Sequence, residues 1–397
     1  MESMKSVIIK ITLFSFLLVL FLPYQTFAET NDADTYFKRA VTYVKLGKYD
    51  EAIVDFNKAI ELNPKDADAH FNRGLSYSKL GKHNEAIADY SKAIELNPKD
   101  ADAYHNRGVV YGNLGKHDEA IADYSKAIEL NPKHAKAYSN RAASYKALGK
   151  HDEAIIDFNK AIELDPKHAE TFYKRGVANF NLGRYDEAIS AFNKAIELNP
   201  QYAMAYNNRG NAYGNIGKHD EAIVDYNKAI ELNPIYAEAY NNRGNAYDNL
   251  GKHDEAISDY SKAIELNPIY AVAYYNRGVV YGNLGKLDEA ISDYNKAIEL
   301  NPKYAKAYFN RGVVYSNLGK HDEAISDYNK AIELNPKDSQ AYYNRACIYS
   351  INNQQKNAID DLSRAIRINP VLRNEARTDK DFNNVRNSSD FKKLISE

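Results

Sequence analysis

Small and apolar residues recur at the same places every 34 residues along most of this 397-residue chain. In one copy they fall three or four residues apart from Met204 to Asn215, and again from Glu221 to Leu232. That spacing puts them on one face of a helix, so each copy predicts two amphipathic helices of about 12 residues. Helices of this length are marginal in water, so they need packing partners.

Glycine and proline mark the predicted helix ends. Gly217 is placed to end the first helix in a left-handed turn, Asp220 and Glu221 put negative charge at the start of the second, and Pro234 stops it. The proline returns ten times without insertion or deletion, at positions 64, 98, 132, 166, 200, 234, 268, 302, 336 and 370. Such a fixed period predicts a stacked solenoid, in which each unit buries its apolar face against its neighbours.

The spacing within each copy matches a known motif. Seven positions follow the pattern Y-x3-G-x2-Y-x8-A-x3-Y-x2-A-x4-P: Tyr206, Gly210, Tyr213, Ala222, Tyr226, Ala229 and Pro234. Through this pattern the chain resembles the tetratricopeptide repeat (TPR) family from Ala33 to Leu372. The resemblance implies an all-α fold, an α-solenoid in which ten helix-turn-helix units form a right-handed superhelix.

The same pattern predicts how the chain is divided. Residues 29–32 form a short N-terminal lead before the ten repeats. The repeats occupy residues 33–66, 67–100, 101–134, 135–168, 169–202, 203–236, 237–270, 271–304, 305–338 and 339–372. Apolar residues at helical spacing continue beyond the last repeat, so residues 373–397 are predicted to be a C-terminal capping helical segment.

The first 28 residues do not follow the repeat. Lys5 and Lys10 precede an apolar run from Ile11 to Leu22, and small residues around Ala28 suit a cleavage site. These features are typical of a secretory signal peptide, so we expect cleavage near Ala28 and export to the periplasm, the envelope or the medium. The run is too short to span a bilayer, which predicts no stable membrane span in the mature chain. An uncleaved N-terminal anchor is the alternative.

Charge and residue chemistry argue against several functions. The net charge is -2, and both signs are mixed through every repeat. Without a basic stripe to follow a phosphate backbone, we expect no nucleic-acid partner. Catalytic groups differ in role and converge on one point, whereas the candidate groups here recur with the repeat. We therefore expect no enzyme activity, no catalytic residues, no metal site and no cofactor.

Arginine occupies the seventh position of every repeat, on the packing side of the first helix. Nine repeats carry an aspartate sixteen residues later, such as Asp225 after Arg209 and Asp259 after Arg243, while the fifth has alanine. Because a buried cation needs a partner, we predict structural ion pairs at Arg209–Asp225 and Arg243–Asp259 and a weaker site at Arg175. A row of arginines that contacts a ligand is the alternative.

Asparagine is concentrated on one face of the first helix. The family resemblance places positions 2, 5, 6, 9, 12 and 13 on the concave face, and position 6 is asparagine in eight of ten repeats. An amide both donates and accepts, so a regular row of amides can pair with the peptide groups of an extended chain. The row resembles the asparagine ladder in the protein-recognition superhelix of sugar transferases that modify intracellular proteins. The predicted peptide-binding groove comprises Asn207, Asn208, Asn211, Asn215, Asn241, Asn242, Asn245, Asn249, Asn276, Tyr173 and Tyr275.

The main hypothesis is a non-enzymatic scaffold that binds a partner protein or an extended peptide in this groove. A glycan-binding or polysaccharide-export accessory module is the alternative, because amides beside exposed rings such as Tyr173 and Tyr275 also suit sugars. Two further interpretations of the sequence are also open. The chain could serve as the adaptor of a separate catalytic partner, and the asparagines could be soluble filler copied by duplication.

Overall fold

A computed structural model of the chain describes residues 32–396, and every regular element among these residues is helical. The all-α prediction is thereby confirmed. The predicted signal peptide and most of the N-terminal lead fall outside the described residues. No helix among those described is long and apolar enough to cross a membrane.

The chain forms two compact units, the first ending at Leu182 and the second beginning at Gly183. Within residues 32–182 the first unit has nine α-helices. They are α1 (Ala33–Lys45), α2 (Tyr49–Leu62), α3 (Ala67–Lys79), α4 (His83–Leu96), α5 (Ala101–Asn113), α6 (His117–Leu130), α7 (Ala135–Ala147), α8 (His151–Leu164) and α9 (Ala169–Asn181).

The second unit, described over residues 183–396, has thirteen α-helices and one 3-10 turn. They are α10 (Tyr185–Leu198), α11 (Ala203–Asn215), α12 (His219–Leu232), α13 (Ala237–Asn249), α14 (His253–Leu266), α15 (Ala271–Asn283), α16 (Leu287–Leu300), α17 (Ala305–Asn317), α18 (His321–Leu334), α19 (Ser339–Ile351), α20 (Gln355–Ile368), α21 (Leu372–Thr378), the 3-10 turn Lys380–Phe382 and α22 (Ser389–Ser396).

The helix ends follow from local chemistry. The Asp100 side chain accepts hydrogen bonds from the N–H groups of Asp102 and Ala103 and so caps α5. Gly217 has φ +78° in the turn after α11, a left-handed conformation that favours glycine. Asn353 takes that place in the last repeat with φ 57°, which asparagine tolerates better than most side chains.

The core is a series of small clusters, most of which join one repeat to the next. Gly210 on α11 leaves room for the Tyr226 ring of α12, because a Cβ at position 210 would lie 2.7 Å from Tyr226 Cε1. The Tyr226 cluster also contains Ala222 and Ile223, and Ala246 of the following repeat completes it. Each repeat therefore buries its apolar face partly against its neighbour.

The largest cluster closes the C-terminal end of the second unit. Phe382 and Phe391 are fully buried and pack with Leu362 of α20 and Leu372 of α21. Because these residues follow or complete the last repeat, they cover a face that another repeat would otherwise fill.

Candidate functional site

In most repeats the seventh-position arginine joins three helices. Arg209 on α11 donates from Nε and Nη2 to Asp225 on α12, at 2.8 and 2.5 Å, and from Nη1 to Asn193 on α10 at 2.6 Å. Arg243 makes the same bidentate contact with Asp259, at 2.7 and 2.6 Å. These guanidinium groups therefore hold adjacent repeats together, which favours the structural interpretation over ligand contact.

The aspartates of these pairs are buried, with Asp225 only 3% exposed. Burial raises the pKa of the Asp225 carboxyl, and the hydrogen bond and charge of Arg209 oppose that rise. For Arg107 the hydrogen bond to Asp123 raises the pKa of the guanidinium, in opposition to burial. Each partner thus stabilises the charged form of the other inside the protein.

Arg175 differs, as the alanine in its repeat predicts. Within the part of the chain that the structure describes it pairs with no carboxylate. It donates from Nη1 to Asn159 Oδ1 at 3.0 Å and lies over the Phe172 ring. Burial without a compensating charge lowers the pKa of this guanidinium.

In four repeats the sixth-position asparagine donates to the polar fifth residue of the preceding repeat rather than facing open solvent. Four side chains show this: Asn140 donates to His105 (3.0 Å), Asn242 to Asn207 (3.2 Å), Asn276 to Asn241 (3.0 Å) and Asn310 to Tyr275 (3.1 Å). Asn72 and Asn106 each follow a repeat whose fifth residue is phenylalanine. Both side chains instead donate to carbonyl oxygens of their own helices. Much of the predicted ladder is therefore used within the protein.

In the second unit these hydrogen bonds form one continuous series, in which each amide donates to the next. Asn241 donates to Asn242 at 3.3 Å, and Asn207 donates to Asn208 at 3.2 Å, so the amides link α15, α13 and α11. Asn207 and Asn241 are 4% and 2% exposed. Both side chains are therefore out of reach of a ligand, and their amides serve the packing of adjacent helices.

Four other predicted groove residues keep unused polar atoms. Asn211 Oδ1 accepts from the Tyr226 hydroxyl at 2.8 Å, and Asn245 Oδ1 does so from Tyr260 at the same distance. Asn215 and Asn249 donate to the backbone oxygens of Asn211 and Asn245, at 2.8 and 2.7 Å. Among the described residues the Nδ2 groups of Asn211 and Asn245 and the Oδ1 atoms of Asn215 and Asn249 have no partner. Each of α11 and α13 thus presents one amide donor and one amide acceptor.

The two predicted flanking tyrosines lie in different units. Tyr275 is partly buried, with its ring 4.8 Å from that of Tyr304 and 6.0 Å from that of Tyr294, between ring centroids. Its hydroxyl accepts the hydrogen bond from Asn310. Tyr173 is partly buried in the first unit. The ring of Tyr275 is therefore largely committed to internal packing.

A group of possible metal ligands lies beneath the C-terminal cap. Cys347, Asp379 and Asp381 place one ligand atom each within 4.8 Å of one another. Asp379 Oδ2 accepts from the Tyr343 hydroxyl at 2.8 Å, and burial followed by the charge of Asp379 raises the pKa of the Cys347 thiol. With the thiol protonated, the group is explained as a hydrogen-bonded contact between the last repeat and the cap.

One feature of the first unit was not predicted from the sequence. A pocket of about 230 Å³ opens between α7, the C-terminal end of α8 and the first turn of α9. The signal for it was present, because Ser139 replaces the aromatic residue that most other repeats carry at position 5.

Tandem helix pairs, nearly all with a glycine in the turn between the helices and a proline after the second helix, define a helical-repeat protein. Sequence profiles of the tetratricopeptide repeat match residues 101–134, 135–168, 203–236, 237–270, 271–304 and 305–338. Further TPR profiles match residues 41–81, 74–115 and 180–217, and residues 158–190 and 327–360. The chain belongs to the tetratricopeptide repeat family. Repeats of this family are generally non-enzymatic scaffolds for protein interaction.

Several solved structures are similar to this chain. The Cut9–Hcn1 hetero-tetramer of the APC/C is 21% identical, with a TM-score of 0.50 over 92% of this chain and 76% of that one, and this likeness shows the fold alone. The MamA protein is 34% identical over 42% of this chain and 92% of its own, with a TM-score of 0.40. YrrB, described as a TPR protein with an unusual peptide-binding site, is 29% identical over 46% and 95%, with a TM-score of 0.42. No curated protein gives a significant match.

Proposed function

We propose that the chain is a non-enzymatic scaffold whose second unit binds an extended peptide along α11 and α13. The observation that carries the proposal is the repeated pair of unused amide groups. Asn211 Nδ2 and Asn215 Oδ1 form one pair, and Asn245 Nδ2 and Asn249 Oδ1 form the other. Each pair lies on residues four apart, which are neighbours on a helix surface.

The chemistry of the pairs suits a peptide backbone. A peptide unit carries one N–H donor and one C=O acceptor, and each asparagine pair offers the complementary acceptor and donor. The Tyr226 and Tyr260 hydroxyls donate to the Oδ1 atoms of Asn211 and Asn245. These bonds fix the orientation of both amides and leave the Nδ2 groups of the two asparagines available to donate to a ligand. Recognition through backbone groups would make the groove tolerant of the partner's sequence.

The expected affinity is modest. Each hydrogen bond contributes about 0.5 to 1.5 kcal/mol net, and ordering a flexible ligand offsets part of the sum. Four such bonds with some apolar contact correspond to a dissociation constant of roughly micromolar order.

The glycan alternative depends on exposed aromatic rings, and the structure does not favour it at Tyr275. That ring packs on Tyr304 and its hydroxyl accepts from Asn310, so both features that a sugar would use are engaged internally. A peptide is therefore the ligand that we propose.

We further propose that the scaffold acts outside the cytoplasm, after cleavage near Ala28. The support is the charged and apolar pattern of residues 1–28. N-terminal sequencing of the protein from fractionated producing cells tests this directly. A mature chain that begins near Glu29 in the exported fraction is expected, and an intact Met1 in the soluble cytoplasmic fraction would contradict it.

Binding can be tested by capture from the exported fraction of the producing cell. The wild-type chain is compared with an Asn211→Val/Asn245→Val variant, since Val109, Val279 and Val313 occupy that position in other repeats. The variant should fold normally and lose a partner that the wild type retains. Asn283→Ala on α15 serves as a matched control outside the two pairs. Equal capture by all three proteins would refute a groove at these residues.

A further inference from the structure

The pocket in the first unit exists because one ring is missing. In the third and the eighth repeats the fifth residue is aromatic and packs on the last residue of the same repeat. The centroids of the His105 and His134 rings are 4.6 Å apart, and those of the Tyr275 and Tyr304 rings are 4.8 Å apart. The fourth repeat keeps the partner ring, His168, but has Ser139 in place of the fifth-position ring.

The wall of this pocket carries two buried hydroxyl groups. Ser139 and Thr171 are 8% and 3% exposed, and their hydroxyl oxygens are 3.5 Å apart. Thr171 Oγ1 also lies 2.8 Å from His168 Nδ1. Among the described residues Ser139 Oγ has no closer partner than Thr171, so it keeps hydrogen-bonding capacity for a group that enters the pocket.

Thr171 is itself a departure from the repeat. Eight other repeats carry alanine at that position, for example Ala137 and Ala205. Two changes in adjacent repeats therefore combine in one place: the loss of a ring at residue 139 and the gain of a hydroxyl at residue 171.

The charges around the pocket balance. Lys174 Nζ lies 2.7 Å from Glu170 Oε1, and the other charged lining residues are Lys136 and Asp165. Two cations and two anions give no preference for an ionic ligand. The volume of about 230 Å³ is also smaller than the roughly 300 Å³ at which pockets begin to hold drug-sized molecules. A single uncharged side chain is the appropriate size.

We propose that this pocket binds a tyrosine side chain of a partner protein. The phenol ring takes the place of the missing fifth-position ring and packs against His168, as the His105 ring packs at an angle of 36° against His134 in the preceding repeat. The phenol hydroxyl bonds to the hydroxyl pair of Ser139 and Thr171. The site lies in the first unit, so it does not depend on peptide binding by the asparagines of α11 and α13.

The first test uses p-cresol, the side-chain analogue of tyrosine, as the probe. Its binding to the full chain is measured by ligand-detected saturation-transfer NMR and compared with binding to Ser139→Tyr, which restores the residue type found at Tyr173 and Tyr275. The new ring should fill the pocket and weaken p-cresol binding by at least about tenfold. Its melting temperature should not fall, because the ring has the neighbours that it has in other repeats. Equal p-cresol binding to both proteins, or none to the wild type, would overturn the proposal.

The second test isolates the hydroxyl pair and does not depend on the filled variant. Thr171→Ala restores the usual alanine and leaves the pocket open. With the wild type p-cresol should bind more tightly than toluene, and the variant should reduce this preference about tenfold, the loss of one good hydrogen bond. An unchanged preference would show that the phenol hydroxyl is not recognised by Thr171 and would contradict the proposed mode.

Discussion

At the scale of single residues, many polar side chains inside this protein are paired with a specific partner in the same or the adjacent repeat. Arg209 and Asp225 are bonded through two nitrogen–oxygen contacts, and Asn242 and Asn276 satisfy buried amides of the preceding repeat. Because an unpaired buried group costs more than a paired one contributes, removing one partner should matter more than replacing both. We make one prediction for Asp225 and one for His105, which is also buried.

The first concerns Asp225. Asp225→Ala leaves the Arg209 guanidinium without its carboxylate partner inside the protein, so we expect the free energy of unfolding to fall by about 3 kcal/mol. Urea denaturation measures the change, and Asp220→Ala, an exposed acid at the start of the same helix, should alter it by less than about 0.5 kcal/mol. A loss below about 1 kcal/mol at Asp225 would show that the pair is not effectively buried.

The second concerns acid sensitivity at His105. Burial, and then the charge of His134, lower the pKa of His105 to about 4 from 6.5. Its folded pKa is depressed, so the stability that the neutral ring contributes is complete above about pH 6.5 and is lost as the pH falls towards 4. The hydrogen bond from Asn140 Nδ2 to His105 Nε2 requires the same neutral ring.

We therefore expect the wild type to lose about 2 kcal/mol more than His105→Phe between pH 7.5 and pH 5. Phenylalanine occupies this position at Phe37 and Phe71, so the variant should fold. Urea midpoints at the two pH values measure the difference. Identical pH dependence in both proteins would mean that His105 is not held neutral by its surroundings.

At the scale of helices, a glycine of the first helix lies against a tyrosine ring of the second helix in six repeats. Gly74, Gly108, Gly210, Gly244, Gly278 and Gly312 each face a tyrosine ring of the second helix. The repeats with alanine at this place, at Ala40, Ala142 and Ala346, face Phe56, Phe158 and Leu362 instead. The tyrosine hydroxyl fixes the ring by bonding to the first helix in at least two repeats, at Asn211 and Asn245, which leaves no space for an added methyl group.

Gly210→Ala should therefore destabilise the protein by about 1 to 3 kcal/mol, because its Cβ would meet Tyr226. Adding Tyr226→Phe should recover about 1 kcal/mol, since the ring is then free to move. Gly214→Ala on the same helix is the control, because its nearest neighbour is the Tyr226 hydroxyl at 3.9 Å. A double-mutant cycle in urea measures the coupling, and strict additivity would contradict it.

The helices and the arginine partners could be predicted from the sequence because both depend on residues at a fixed distance along the chain. The 34-residue period placed the turn at Gly217, and the sixteen-residue spacing placed Asp225 beside Arg209. The hydrogen-bond partners of the asparagine side chains could not be predicted in this way. The distance between helices of adjacent repeats decides whether the Asn242 side chain bonds to Asn207 or is available to a ligand. The pocket at Ser139 depends on the side chains that surround the place where other repeats have an aromatic ring.

At the scale of the whole molecule, stability should be local, because each repeat contacts chiefly its neighbours. The C-terminal cluster illustrates this, since Phe382 and Phe391 contact the last repeat and the cap. Deletion of residues 373–397 should therefore expose α19 and α20 to exchange and leave α11 to α14 protected. Hydrogen exchange followed by mass spectrometry compares these peptides, with Phe391→Ala as a milder variant. Uniform loss of protection across the second unit would show that the array unfolds as one.

In the proposed function, the second unit binds a peptide backbone through Asn211, Asn215, Asn245 and Asn249. The most direct measurement is a fluorescence-anisotropy titration of a peptide selected on the wild type by random display. The same titration is repeated with a backbone N-methylated copy of the peptide and with the Asn211→Val/Asn245→Val variant. We expect roughly micromolar affinity for the wild type and a loss of about tenfold or more after either change. Equal affinity in all three titrations would show that the asparagines only hold the repeats together.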